Sequence, residues 1–99
     1  SRGLGDVYKR QAPYATVAQL VAALPPEIRG RTTSINLDAS TTNLSLVIDR
    51  GDRHSIVVHL GDGTALADKL ARLLNQIHTG LAKVIAIDVS TEEVGVVRG

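Results

Sequence analysis

The sequence predicts a small α+β domain: a mixed sheet of about four to five strands with two helices, in the order helix, three strands, helix, one or two strands. Three observations carry that reading. The spacing of apolar residues changes from helical to alternating and back again along the chain. A single strand–helix–strand passage lies in the second half, and within one sheet such a passage demands a right-handed crossover and hence one parallel pair. The chain has 99 residues, enough to bury roughly 60 to 65% of its unfolded surface in one modest core and no second one.

Each element has its own signal. In residues 16–24, Val17, Leu20, Val21 and Leu24 fall at i, i+3, i+4 and i+7 on one helical stripe, with Thr16 as N-cap and Pro25-Pro26 as the stop. Between Thr32 and Asp38, Ile35 and Leu37 alternate with Ser34 and Asn36, the period of a half-buried strand. Residues 39–43 read as a polar turn. Leu44, Leu46 and Ile48 share one face of the next strand, and Ile56, Val58 and Leu60 repeat the pattern beyond Arg50-Gly-Asp-Arg53, so the two form a hairpin. A helix over about 64–78 carries Leu66, Leu70, Leu73, Leu74 and Ile77, with Asp62 or Thr64 as cap, an Asp68–Arg72 pair at i, i+4, and Gly80 suited to a left-handed C-terminal position. A β-branched strand follows over 83–89, and residues 94–98 form a short last strand. The strand over 84–89 is the one expected to run parallel to an earlier neighbour.

Composition narrows the function classes. The chain is 43% hydrophobic and lacks Phe, Trp and Met, so the core is aliphatic and the two aromatics are Tyr8 and Tyr14. With no Cys there is no disulfide, no thiolate metal site and no Cys nucleophile. A formal net charge of +1 gives no nucleic-acid footprint, and no apolar run approaches the ~20 residues of a membrane span. Residues 1–11 are aperiodic, and Asp6-Val-Tyr-Lys-Arg-Gln11 reads as a translated sequencing-adaptor sequence, a segment to set aside in fold reasoning. Setting aside Arg2, Lys9, Arg10 and Asp6 leaves 8 basic and 9 acidic residues, net −1. Without a starting Met, the chain reads as an internal or C-terminal fragment of a longer protein, its domain proper running over 12–99.

The chain offers no catalytic constellation. His54 and His59 are five apart on one predicted strand and project to opposite faces, and His78 ends a helix, where a cation complements the dipole. Gly61-Asp-Gly-Thr64 joins a strand to a helix start, a geometry that can cradle phosphate, but Leu66 occupies the last glycine position of G-x-G-x-x-G and no Gly-Lys-Ser/Thr follows. Arg50-Gly-Asp52 spells an adhesion tripeptide but also ordinary hairpin-tip chemistry, and Arg29 and Arg31 read as a solvated turn. No cofactor and no metal are expected. The remaining asset is the sheet edge at Val94-Gly-Val-Val97, either a blunted terminal strand or an acceptor for a partner's strand.

An ordered set of segments bears on that choice. Ala23-Leu-Pro-Pro-Glu-Ile-Arg29, two strands, His59-Leu-Gly-Asp-Gly-Thr64 leading into Leu66-Ala-Asp-Lys-Leu-Ala-Arg-Leu-Leu74, and Val84-Ile-Ala-Ile-Asp-Val89 follow one another. Together, over about residues 17–97, they resemble the C-terminal β domain of the bacterial cell-division protein family FtsQ (DivIB). Ser90, Thr91, Glu92 and Glu93 stand where many members read Asp-Val/Leu-Arg followed by an aromatic or proline-containing segment. The resemblance implies a non-enzymatic scaffold of the septal division machinery, with a membrane anchor and POTRA domain upstream, on the extracytoplasmic face of the inner membrane. It implies that the last strand accepts a strand from a small coiled-coil FtsB-like protein acting with an FtsL-like one. The receiving residues would be Thr91, Glu93, Val94, Gly95, Val96 and Val97. Two rivals remain: a regulatory or ligand-binding α+β module of a cytoplasmic enzyme using the Gly61–Thr64 turn for an anion, and an adhesive or oligomerising extracellular module self-associating through the same edge.

Overall fold

The computed structural model describes residues 15–38 and 40–99; the aperiodic residues 1–11 lie outside them. A first helix, α1, covers residues 15–23, and α2 (Pro26–Arg31) follows directly. Then come β1 (Thr32–Asp38), β2 (Asn43–Asp49), β3 (Ser55–Gly61), α3 (Leu66–Thr79), β4 (Val84–Asp88) and β5 (Gly95–Arg98). The strands form one five-stranded sheet in the order β1-β2-β3-β4-β5. All neighbours are antiparallel except β3 and β4, which run parallel with Val57, Val58 and His59 opposite Ala86, Ile87 and Asp88. The expected α+β class and its single parallel crossover are therefore present.

The helices cover one face of this sheet. Leu44, Leu46 and Ile48 of β2, Ile56, Val58 and Leu60 of β3, and Val84 and Ile87 of β4 are buried against Leu20, Leu24, Ile28, Leu66, Leu70 and Leu73. Ile35, Leu37 and Val96 extend that layer to the outer strands, half-buried. Complete burial of each of these aliphatic side chains contributes about 1.5–3 kcal/mol before the entropy of ordering them is counted.

Several local expectations are corrected. Thr16 lies inside α1 and is not its N-cap, and Val21 is 42% exposed because the buried line runs through Val17, Leu20 and Leu24. Pro25-Pro26 ends α1, but Pro26 also opens α2, where its missing N–H and fixed φ suit the first turn. Arg29 and Arg31 are thus helical and engaged. Arg29 donates to the carbonyls of Val21 and Leu24 at 3.1 and 3.4 Å, serving the end of α1, and Arg31 donates to Asp49 O at 3.1 Å. The α3 helix starts at Leu66, capped by neither Asp62 nor Thr64: Ala65 holds the cap position in left-handed conformation with no side-chain cap. Arg72 does not pair with Asp68; it reaches out of the helix to Val89 O at 3.1 Å. Gly80 caps α3 with φ 133° and ψ 146°, outside the left-handed helical region, while its N–H still reaches Gln76 O. His54 precedes β3 instead of sharing it with His59.

Candidate functional site: the free edge of the sheet

Within the described residues β5 has one neighbour, β4, so its other side is a free edge. Which backbone groups point outward follows from register. Gly99 N–H donates to Lys83 O at 2.9 Å, and Val84 faces Arg98. In an antiparallel pair, residues that direct N–H and C=O at the neighbour alternate with residues that direct both away. Gly99, Val97 and Gly95 therefore turn toward β4, while Val96 and Arg98 present their N–H and C=O outward. A register shift between Val84 and Ala86 places the irregularity on β4 and leaves β5 in uninterrupted alternation.

The side chains divide by face. Val96, opposite Ile87, lies on the helix side, half-buried against the core. Val97 lies on the open face, 54% exposed, opposite Ala86. Ala86 in turn faces Val57, and Val57 faces Val47, so one apolar row crosses four strands to the free edge. Beside it the bulge turns Ile85 outward, 47% exposed. Alternation alone identifies Val47 and Val57 as open-face residues, but Ile85 joins them only through the bulge, which leaves no trace in the sequence. Of the sequence-predicted receiving residues, Gly95, Val96 and Val97 lie in the strand. Thr91 and Glu93 belong to the turn before it, where Thr91 Oγ1 donates to Glu93 O at 3.1 Å, and Val94 is half-buried against the core. A Cβ at Gly95 would meet only Asp88 Cβ at 3.6 Å, an ordinary contact, so β4 does not require glycine there.

The other candidate centres are internally committed. In the Gly61–Thr64 turn, Asp62 Oδ1 accepts from Thr64 N–H at 3.0 Å and from the Thr64 hydroxyl, and buried Lys69 donates to Asp62 O and Oδ1 at 3.0 and 3.2 Å. The hydroxyl, the N–H and then Lys69 hold the Asp62 carboxyl down at about 2. A carboxylate thus occupies the donors that a phosphate would use. A Cβ on Gly63 would come within 2.7 Å of Thr16 Cγ2, so α1 also closes over the turn. At the hairpin tip, Arg50 and Asp52 bind each other, with Nε–Oδ1 at 2.8 Å and Nη2–Oδ2 at 2.7 Å, instead of diverging toward a receptor. Arg50 also donates to Val84 O at 2.8 Å, tying the tip to the start of β4.

Two further polar groupings occur among the described residues. An open hollow of about 400 Å³ between the ends of β2, β3 and β4 brings His59, Asp88 and Ser90 together with Asn43. There the Ser90 hydroxyl and N–H donate to Asp88 Oδ1 at 2.6 and 2.9 Å and lower the carboxyl, so the hydroxyl is spent on the carboxylate and not aimed at His59. His78 Nε2 bonds Glu27 Oε2 at 2.7 Å, joining α3 to α2. No cluster of His, Cys, Asp and Glu fit to hold a metal occurs among the described residues, and no helix among them is long and apolar enough to cross a membrane. Compared with protein-family models, with curated proteins and with solved structures, the chain finds no match in any of the three.

Proposed function

We propose that the domain is a non-enzymatic scaffold that accepts a partner's strand at the outer edge of β5. The observation that carries this reading is that edge itself. It offers two outward-facing backbone positions, Val96 and Arg98, with the apolar side chains of Val96 on the helix side and Val97 on the open face. Main-chain pairing supplies affinity in such additions, and alternate side chains supply selectivity. The opposite edge, β1, presents exposed Ser34, Asn36 and Asp38 instead.

The resemblance to the FtsQ (DivIB) β domain supplies the setting. The partner would be an FtsB-like coiled-coil division protein acting with an FtsL-like one, at the septum, on the extracytoplasmic face of the inner membrane, with the anchor and POTRA domain upstream of this segment. Titrating the isotopically labelled chain with a peptide from the membrane-proximal segment of an FtsB-like protein should shift amides of Thr91 to Val97. Val96→Pro should abolish the response while the domain stays folded, because the N–H it removes points away from β4. Val97→Asp, on the exposed face, is the second variant and should weaken binding without touching the core. Unchanged affinity in both would remove β5 from the reading.

A further inference from the structure

The free edge of β5 carries opposite charges at its two ends. Glu92 and Glu93 stand in the turn that leads into the strand, and Lys83 and Arg98 stand together at the other end. All four side chains are exposed, and none enters an ion pair with another described residue. Between the two ends lie Val96 and Val97. Edge charges commonly keep stray strands away. Here the two signs are segregated, so the edge repels one order of charge along an incoming strand and attracts the reverse order.

Strand direction decides which end of the partner meets which charge. Val96 and Arg98 each present an N–H and a C=O outward, groups that a strand of either direction can engage; an antiparallel strand engages them in closely spaced reciprocal pairs, the slightly more stable arrangement per residue. In that orientation the partner's N-terminal end lies against Lys83 and Arg98, and its C-terminal end against Glu92 and Glu93. Opposite Val97, the partner residue would become the next member of the row Val47, Val57, Ala86, Val97. Opposite Val96 it would extend the helix-side layer.

We infer that the β5 edge selects an antiparallel segment that begins with acidic residues, continues with apolar residues facing both sides of the sheet, and ends with basic residues. The acidic and basic ends stand about six residues apart along the chain, the count from Arg98 back to Glu92. The inference rests on the reading of β5 as a receiving strand.

Two nine-residue peptides of one composition test it on the labelled 99-residue chain: Asp-Asp-Val-Thr-Val-Val-Thr-Lys-Lys and Lys-Lys-Val-Thr-Val-Val-Thr-Asp-Asp, each with valines on both faces when extended. The acid-first peptide should bind roughly tenfold more tightly at low ionic strength, with the preference shrinking as salt is added. A chain carrying K83E, R98E, E92K and E93K should reverse the preference, and R98E alone should reduce it. A nitroxide on the N-terminus of the acid-first peptide should broaden the Arg98 and Gly99 amides. Equal affinities, a preference that survives charge reversal, or broadening at Thr91 to Glu93 instead would overturn the inference while leaving strand addition intact. Silence of the β5 amides toward both peptides would overturn the receiving-strand reading itself, and this inference with it.

Discussion

Lys69 sits 4% exposed under the β3–α3 turn, and its ammonium is spent on the carbonyl and carboxylate of Asp62. Replacing it with Met keeps the stem but takes the donor from Asp62 O and one of three from Asp62 Oδ1, and the unfolding free energy should fall by about 1–3 kcal/mol in urea titration. Acid should act on the same contact. Asp62 is held at about 2 by the Thr64 hydroxyl and N–H and by Lys69, and Asp52 at about 2 by Arg50, against an ordinary value of 3.8. A carboxyl depressed in the folded state contributes stability above its unfolded pKa and loses it as pH falls through the folded one. The urea midpoint should therefore drop between about pH 4 and pH 2, and Asp62→Asn should flatten the drop; a midpoint equally pH-dependent in the variant would argue against this assignment. None of this was legible in the sequence. Spacing along a helix suggested Asp68 as the partner of Arg72, whereas Arg72 ends on Val89 O, brought near by the crossover, and Lys69 folds back on Asp62 in the turn before α3.

At the scale of elements, the strands were the most readable part. Alternation at Ile35 and Leu37, and again from Leu44 to Leu60, marks faces that the sheet does bury. The α2 helix was not readable, because six residues with one buried side chain, Ile28, show no period. Its worth lies in Arg29, which supplies donors to the last carbonyls of α1. Arg29→Ala should cost about 1 kcal/mol, read as a lowered urea midpoint with the strand amides unchanged in spectrum. The packing of α1 on the turn before α3 gives a sharper test. A Cβ at Gly63 would lie 2.7 Å from Thr16 Cγ2. Gly63→Ala should destabilise by ~1–3 kcal/mol through overpacking, and Thr16→Ser in the same chain, which deletes that methyl, should restore part of the loss. Independent, additive effects in a double-mutant cycle would show that the two residues do not meet.

For the whole molecule, the helices among the described residues form a single layer on one face of the sheet, and the load falls on β2, β3 and β4. Leu46, fully buried between its neighbours, should cost about 2–5 kcal/mol on replacement by Ala. A loss below 1 kcal/mol would place the core elsewhere. The edge presents the opposite case: a short last strand over 94–98 was legible, but that Thr91, Glu93 and Val94 fall before it, that its outward backbone positions are Val96 and Arg98, and that Val97 ends a cross-sheet row were not. Those properties depend on which strands become neighbours, and periodicity does not encode neighbours.

Strand order across the sheet follows strand order along the chain. Each strand therefore meets its neighbour already synthesised, and β4 alone must wait for a helix to form and cross before it can dock. β5 rests on β4 and on no other described strand, so its place in the sheet depends on β4 having docked against β3. A partner that holds the β5 edge as part of this sheet therefore meets a chain whose crossover through α3 has already closed.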